Sequence, residues 1–227
     1  MPLLQRVKTG IPGLDSLIEG GLVENSVILV SGGTGCGKTI LASQFIYHGL
    51  ERGDPGLYIT LEETPEDIRA DSLQFGWDFQ KYEKKGLCKI IYHDPAQINN
   101  IGTVILDELS RSRAKRLAID STSVMTLAME NPAQIRKKLY GIISTIKRAG
   151  HTTALLMADI PEGSKGLSMF GVEEFVADAV IVLSYLGVEG STSRSLQIRK
   201  MRRTDHGKDV YPMVISKKGI AIRQSEI

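Results

Sequence analysis

Residues 32–39 read G-G-T-G-C-G-K-T. This fits G-x-x-x-x-G-K-[ST], with Gly32, Gly37, Lys38 and Thr39 at the fixed positions. The spacing suits phosphate chemistry. Glycines let the backbone N–H groups of Gly33, Thr34, Gly35, Cys36 and Gly37 turn inward around phosphate oxygens. A helix beginning near Lys38 aims its positive end at the same anion. Lys38 adds a point charge, and the Thr39 hydroxyl can ligand Mg²⁺. Cys36 lies near a helix N-terminus, a position that can lower a thiol's pKa; the simpler reading is a small residue contributing only its backbone N–H.

A phosphate loop also needs a carboxylate for the metal at the end of a neighbouring strand. Arg116–Ile119 reads as a strand whose apolar run stops abruptly at Asp120, at the kind of strand end where α/β proteins bind ligands. Hydrolysis further needs a group to orient or deprotonate water. Glu62 and Glu63 follow the strand-like run G-L-Y-I-T-L (56–61) and are candidates, since only one of two adjacent residues need point inward. A solvated acidic turn is the alternative for this pair.

These residues must be positioned by a scaffold, and the rest of the chain supplies one. The chain has 227 residues, 42% hydrophobic and 24% charged, with a net charge of +2. That balance is globular and excludes a disordered chain. Two cysteines, Cys36 and Cys88, make neither a disulfide framework nor a metal cluster, which points to a reducing, cytoplasmic setting. No apolar stretch approaches the roughly 18–20 residues of a membrane span, and residues 1–6 lack a secretory apolar region. No repeat or linker is visible, so residues 1–227 read as one domain.

Apolar runs alternate with helical patterns, predicting an α/β fold: a mostly parallel twisted sheet with flanking helices. Strands are expected at 26–31, 56–61, 88–92, 116–119, 152–157 and 179–183. Helices are expected at 38–50, after the Thr64 cap with Pro65 at its first position, at 101–113 with Asn100 as cap, and from Asn131-Pro132. In the last, Ile135, Leu139, Ile142, Ile143 and Ile146 share one face. After Gly187 the pattern changes to short antiparallel strands at 194–202, 210–215 and 219–223. This end is also the basic one: residues 190–227 hold nine Lys/Arg against three Asp/Glu, and residues 1–189 hold 19 against 23.

Taken together, these motifs resemble the KaiC-like branch of the RecA superfamily of P-loop ATPases. The resemblance runs through T-G-I-P-G-L-D (9–15), G-G-L (20–22), the phosphate loop, L-E-E-T-P-E-D (61–67) and F-G-W-D (75–78). It continues in I-D-S (119–121), E-E-F-V-A-D (173–178), K-M-R-R-T-D-H-G-K (200–208) and Tyr211-Pro212. It implies a RecA-like fold, ATP and Mg²⁺ as ligands, and a homo-oligomeric ring, commonly a hexamer, with ATP at each subunit interface. It assigns Glu62 and Glu63 to the family's paired catalytic glutamates, with Glu62 as principal base, and Asp120 to the metal-binding acid. Lys200 and Arg202 match a finger reaching the neighbouring subunit's ATP; Met201, Thr204 and His206 stand at positions near that nucleotide, and Ile40 at one beside the loop. A Lys and an Arg two apart on a strand face the same way, so the pair would neutralise phosphoryl charge together.

Two departures from the family stand out. Residue 203 is Arg where KaiC has Gly, and M-A-D (157–159) lacks the hydroxyl-then-Glu often found there, leaving Asp159 as a shorter replacement. The circadian role of two-domain members is not carried over. The leading expectation is a ring-forming ATPase acting on an unidentified protein partner. The alternatives are a recombinase-like accessory binding single-stranded DNA and a nucleotide-gated assembly protein with little turnover. The loop 161–171 would face a ring's channel and offers exposed Met169 and Phe170, but Glu162 and Lys165 cancel in charge. Trp77 reads as core, and His48 and His93 as structural.

Overall fold

The computed structural model describes residues 4–124, 129, 131–186 and 193–223. Gly187, where the pattern was expected to change, lies outside them. Two short strands, β1 (Arg6–Val7) and β2 (Leu22–Val23), form a small antiparallel ribbon. The remaining nine strands make one sheet. In chain order the elements are β3 (Val27–Gly32), α1 (Lys38–Glu51), β4 (Gly56–Thr60), α2 (Pro65–Leu73), α3 (Phe79–Glu83) and β5 (Cys88–Tyr92). There follow α4 (Ile101–Ser112), β6 (Arg116–Asp120), α5 (Pro132–Ala149), β7 (Thr153–Asp159), α6 (Glu173–Val176), β8 (Ala179–Tyr185), β9 (Arg194–Met201), β10 (Val210–Ser216) and β11 (Gly219–Ile222). Across the sheet they run β11-β10-β9-β8-β3-β7-β6-β4-β5.

The strands from β8 to β5 are all parallel, and β9, β10 and β11 are antiparallel. Every residue of β3, β4 and β6 is buried, as a parallel sheet covered on both faces requires. Alternation divides the side chains between two cores. Ile28, Val30, Tyr58 and Met157 join Leu41, Phe45 and Trp77 on one face. Val27, Leu29, Ile59, Ile119 and Leu156 join Ile105, Leu139 and Ile146 on the other. Trp77 is core, as its sequence setting suggested: it is 8% exposed, with its ring centroid 4.8 Å from that of Phe75. A Cβ on Gly219, in the β10–β11 turn, would lie 2.6 Å from the indole.

Local signals set the helix starts. The Thr64 side chain accepts from the Asp67 N–H, and Asp67 reaches back to Thr64, a full capping box. Asn131 caps α5 through the Gln134 N–H, and Gly150 ends it at φ 78°. The expectation for Asn100 is corrected. It makes no side-chain cap, because a tight helical turn over Pro95–Asn100, capped by Asp94, already runs into α4. Phe170 is also corrected: it packs half-buried against the second core, while Met169 is exposed.

Arg116 opens β6 and is 1% exposed, a cation inside the fold. Its Nη1 donates to the carbonyls of Lys8 (2.8 Å) and Phe45 (2.9 Å), and its Nη2 lies 3.4 Å from Asp54 Oδ2. The guanidinium stacks over the Phe45 ring at 4.8 Å. One side chain thus ties the N-terminal segment, α1 and the α1–β4 turn to the sheet. Gly49 exists to admit it: a Cβ there would lie 2.2 Å from Arg116 Nε. Arg116→Ala is expected to lower unfolding free energy by about 2–5 kcal/mol, the scale of deleting a large buried side chain and leaving its carbonyl acceptors unpaired. Urea denaturation measures this, and Gly49→Ala is expected to be destabilising through the same contact.

Candidate active site

The phosphate loop begins where β3 ends at Gly32 and closes where α1 begins at Lys38. Gly35 and Gly37 take φ values of 71° and 102°, conformations that side chains resist. A Cβ on Gly32 would lie 2.6 Å from Cys36 Sγ, whereas around Gly33 the space is open. Cys36 is fully buried, and burial pushes its thiol pKa up despite the nearby Lys38. The loop thus uses Cys36 as a small residue, and the lowered pKa that its helix-start position allowed is not realised. Lys38 Nζ donates to the carbonyls of Gly32 (2.9 Å) and Gly33 (3.0 Å) and pairs with Asp159 Oδ1 at 3.0 Å.

Opposite the loop stands Asp120, 8% exposed at the end of β6. Its Oδ2 accepts from Thr39 Oγ1 at 2.7 Å and from the Tyr58 hydroxyl at 2.8 Å. Burial raises its pKa; the two hydrogen bonds and Lys38 oppose that rise, and Glu62 adds to it. Tyr58 was not singled out from the sequence. Its signal was present, since period-two alternation in β4 puts Tyr58 on the face that also carries α1. The Thr39 hydroxyl and the Asp120 carboxylate are hard oxygen donors held together beside the loop, a donor set that fits Mg²⁺.

The two glutamates diverge. Glu62 lines a cleft of about 430 Å³ with Thr34, Lys38, Asp120 and Asp159, and its Oε1 accepts from the Ser121 hydroxyl. Glu63 instead lines a small cavity of about 90 Å³ between α1 and α2, with Ile68, Phe75 and Trp77. Burial there, then Asp120, raises its pKa. Thr60 Oγ1 donates to the Glu63 carbonyl at 2.7 Å, fixing this turn.

The basic residues lie elsewhere. In the register Gly32 faces Leu183 and Ile28 faces Ala179, while Ala179 faces Met201 and Val180 faces Lys200. Lys200 and Arg202 are therefore at the sheet end away from their own phosphate loop, on the order of 13 Å along the strands. Lys200 Nζ donates to the carbonyls of Glu174 (2.9 Å) and Ala177 (2.7 Å); burial, then Arg202, lowers its pKa. Arg202 has a side chain 55% exposed, 3.7 Å from the buried carboxylate of Asp178. Met201 packs its side chain into the first core. Thr204 Oγ1 accepts from Arg6 at 3.0 Å, and His206 Nδ1 lies 2.8 Å from the Gly207 carbonyl. His93 is buried with Nε2 3.1 Å from the Gln97 carbonyl, and the described residues hold no cluster of three or more His, Cys, Asp or Glu placed to take a metal.

Asp120 carries a linked stability effect. A carboxyl whose pKa is raised by folding costs nothing below its unfolded pKa, where both states are protonated. The cost grows as pH rises through that value and levels off above the folded one. Without nucleotide or metal, Asp120→Asn is therefore expected to raise the thermal midpoint by a few degrees at pH 7, with the gain vanishing at acid pH below the ordinary aspartate range. Calorimetry across pH checks it.

The family model described as "ATPase: KaiC" matches residues 7–227. The UPF0273 protein PF1931 of Pyrococcus furiosus is 36% identical over 242 residues, covering 99% of this chain and 96% of that protein. The circadian clock protein KaiC3 of Synechocystis is 34% identical; the match covers 96% of this chain but 46% of that protein. The crystal structure of the KaiC-like protein PH0186 from Pyrococcus horikoshii superposes with a TM-score of 0.87 and 42% identity, over 97% of this chain and 100% of that one. With its loop, its parallel sheet and its antiparallel C-terminal strands matched together, this chain belongs to the KaiC ATPase family of the RecA superfamily.

Proposed function

We propose that the chain is a Mg-ATP-dependent ATPase that works as a homo-oligomeric ring, a hexamer by family analogy, and acts on a protein partner in the cytoplasm. One observation carries the shared-site reading: Lys200 and Arg202 lie at the opposite end of the sheet from Gly32 and Lys38. They can reach a phosphate only if it is bound to another copy of the chain. The buried, unpaired thiols of Cys36 and Cys88 agree with a reducing compartment, and residues 1–227 act as one ATPase domain.

In this reading the loop N–H groups from Gly33 to Ile40, with Lys38, bind the phosphates. Thr39 and Asp120 would hold Mg²⁺, which when bound would neutralise phosphate charge. Glu62 orients the attacking water and takes its proton. Glu63, turned into the α1–α2 cavity, supports the turn that presents Glu62 and adds its charge behind Asp120. From the neighbouring subunit Lys200 and Arg202 stabilise charge on the transferring phosphoryl group, with Met201 contributing backbone and Thr204 and His206 lining the nucleotide. A DNA-binding role gains nothing from the loop 161–171, where Glu162 and Lys165, its charged residues, cancel.

Turnover of ATP with Mg²⁺ tests the reading. Specific activity is expected to rise with protein concentration. Glu62→Gln is expected to lower kcat by about 10²-fold or more. The double variant Lys200→Ala/Arg202→Ala is expected to lose about 10³-fold, as for other phosphoryl-transfer fingers. Turnover that is independent of concentration and survives loss of both basic residues would sink the shared site.

A further inference from the structure

An ammonium has three N–H donors, and those of Lys38 are all engaged. They meet the Gly32 and Gly33 carbonyls at 2.9 and 3.0 Å and Asp159 Oδ1 at 3.0 Å, and the side chain is 11% exposed. A phosphate that takes a donor from Lys38 must displace one of these acceptors. Only Asp159 carries charge, so it is the direct competitor. Its place is fixed by the backbone. Asp159 ends β7 directly opposite Gly32 in the parallel register, and its N–H donates to Ser123 Oγ at 2.6 Å.

Asp159 has a second neighbour. Its Oδ2 lies 3.4 Å from Ser121 Oγ, whose proton is donated to Glu62 Oε1. One hydroxyl proton serves one acceptor at a time. While Lys38 neutralises Asp159, Glu62 is the better acceptor and keeps the Ser121 proton. When Lys38 turns to a phosphate, Asp159 loses its cation and attracts that proton. Glu62, whose carboxylate has other acceptor sites throughout, then loses a donor that drew charge from it and becomes the stronger base toward water.

We propose that Asp159 is a positioning residue that occupies Lys38 in place of a phosphate and relays the arrival of that phosphate to Glu62 through Ser121. The inference rests on the nucleotide-binding reading above, and its relay half also rests on hydrolysis.

The test is equilibrium titration of the full chain with fluorescent ADP and a fluorescent non-hydrolysable ATP analogue, in Mg²⁺. Wild type, Asp159→Asn and Asp159→Glu are compared, with kcat measured alongside and repeated in a Ser121→Ala background. Asp159→Asn is expected to tighten nucleotide binding roughly threefold, the scale of a partly exposed ion pair, while lowering kcat. A residue holding the fold alone would not tighten binding. Asp159→Glu keeps the charge and is expected to stay near wild-type affinity. In the Ser121→Ala background the kcat penalty of Asp159→Asn is expected to disappear. Unchanged or weaker binding by a folded Asp159→Asn overturns the competition. An equal kcat penalty with and without Ser121 overturns the relay. Should Asp159→Asn fail to fold by circular dichroism, the smaller Asp159→Ser replaces it. If wild type binds nucleotide but never turns it over, the hydrolysis reading and the relay fail together, and the affinity comparison still decides the competition.

Discussion

The parallel register of β4, β6, β7 and β3 is the constraint on which the site depends. Parallel strands of one sheet end at one edge, and ligands of α/β proteins gather outside that edge. Here Gly32, Asp120 and Asp159 end their strands there, with Glu62 just beyond β4. These residues are distant in the chain and would not meet otherwise. A shift of one residue in any pairing would turn Asp120 or Asp159 toward the opposite face. The burial of every residue in β3, β4 and β6 resists such a shift, because each face has its own core.

Strand β6 shows how structure and chemistry divide along one element. It starts with a buried cation, Arg116, and ends with a buried anion, Asp120. Arg116 is bonded within its own chain and ties distant segments together. Asp120 is also bonded, to Thr39 and Tyr58, yet burial leaves its carboxyl with a raised pKa. Such a group stabilises the fold poorly and is well placed to meet a cation. Retention of an unfavourable charge at a ligand edge fits the general rule that perturbed carboxylates gather at functional sites.

The antiparallel addition β9–β11 extends the sheet on the far side of β8. It carries basic residues that the register sets at the sheet end away from the phosphate loop. Lys200 is held by carbonyls of the Glu174–Ala177 segment, and Arg202 leans on Asp178, which also accepts from the Val27 N–H and pairs with Lys147. The buried Asp178 thus links the start of β3 to the basic end.

Much of this was legible in the sequence because it is locally encoded. The glycines of the loop, the Thr64 and Asn131 caps, the apolar runs and the helical face of α5 each depend on neighbours a few residues away. The expected strands and helices lie within about two residues of those found. The Asn100 cap failed because Asp94-Pro95, the same kind of local signal as Thr64-Pro65 and Asn131-Pro132, starts a tight turn that runs into α4. Other properties depend on pairing between segments far apart, and only the tertiary structure decided them. Spacing suggested that Glu62 and Glu63 point apart; packing decided which entered the cleft. Nothing in the local sequence showed that Arg116 would be buried, and its partners come from Lys8, Phe45 and Asp54. Charge composition marked residues 190–227 as basic and the family resemblance picked out Lys200 and Arg202, but only the sheet register set them at the end away from their own loop. Side-chain type and spacing declare what chemistry a segment can do. Which groups share a cleft is set by strand order and register, which the chain settles only when its two cores close.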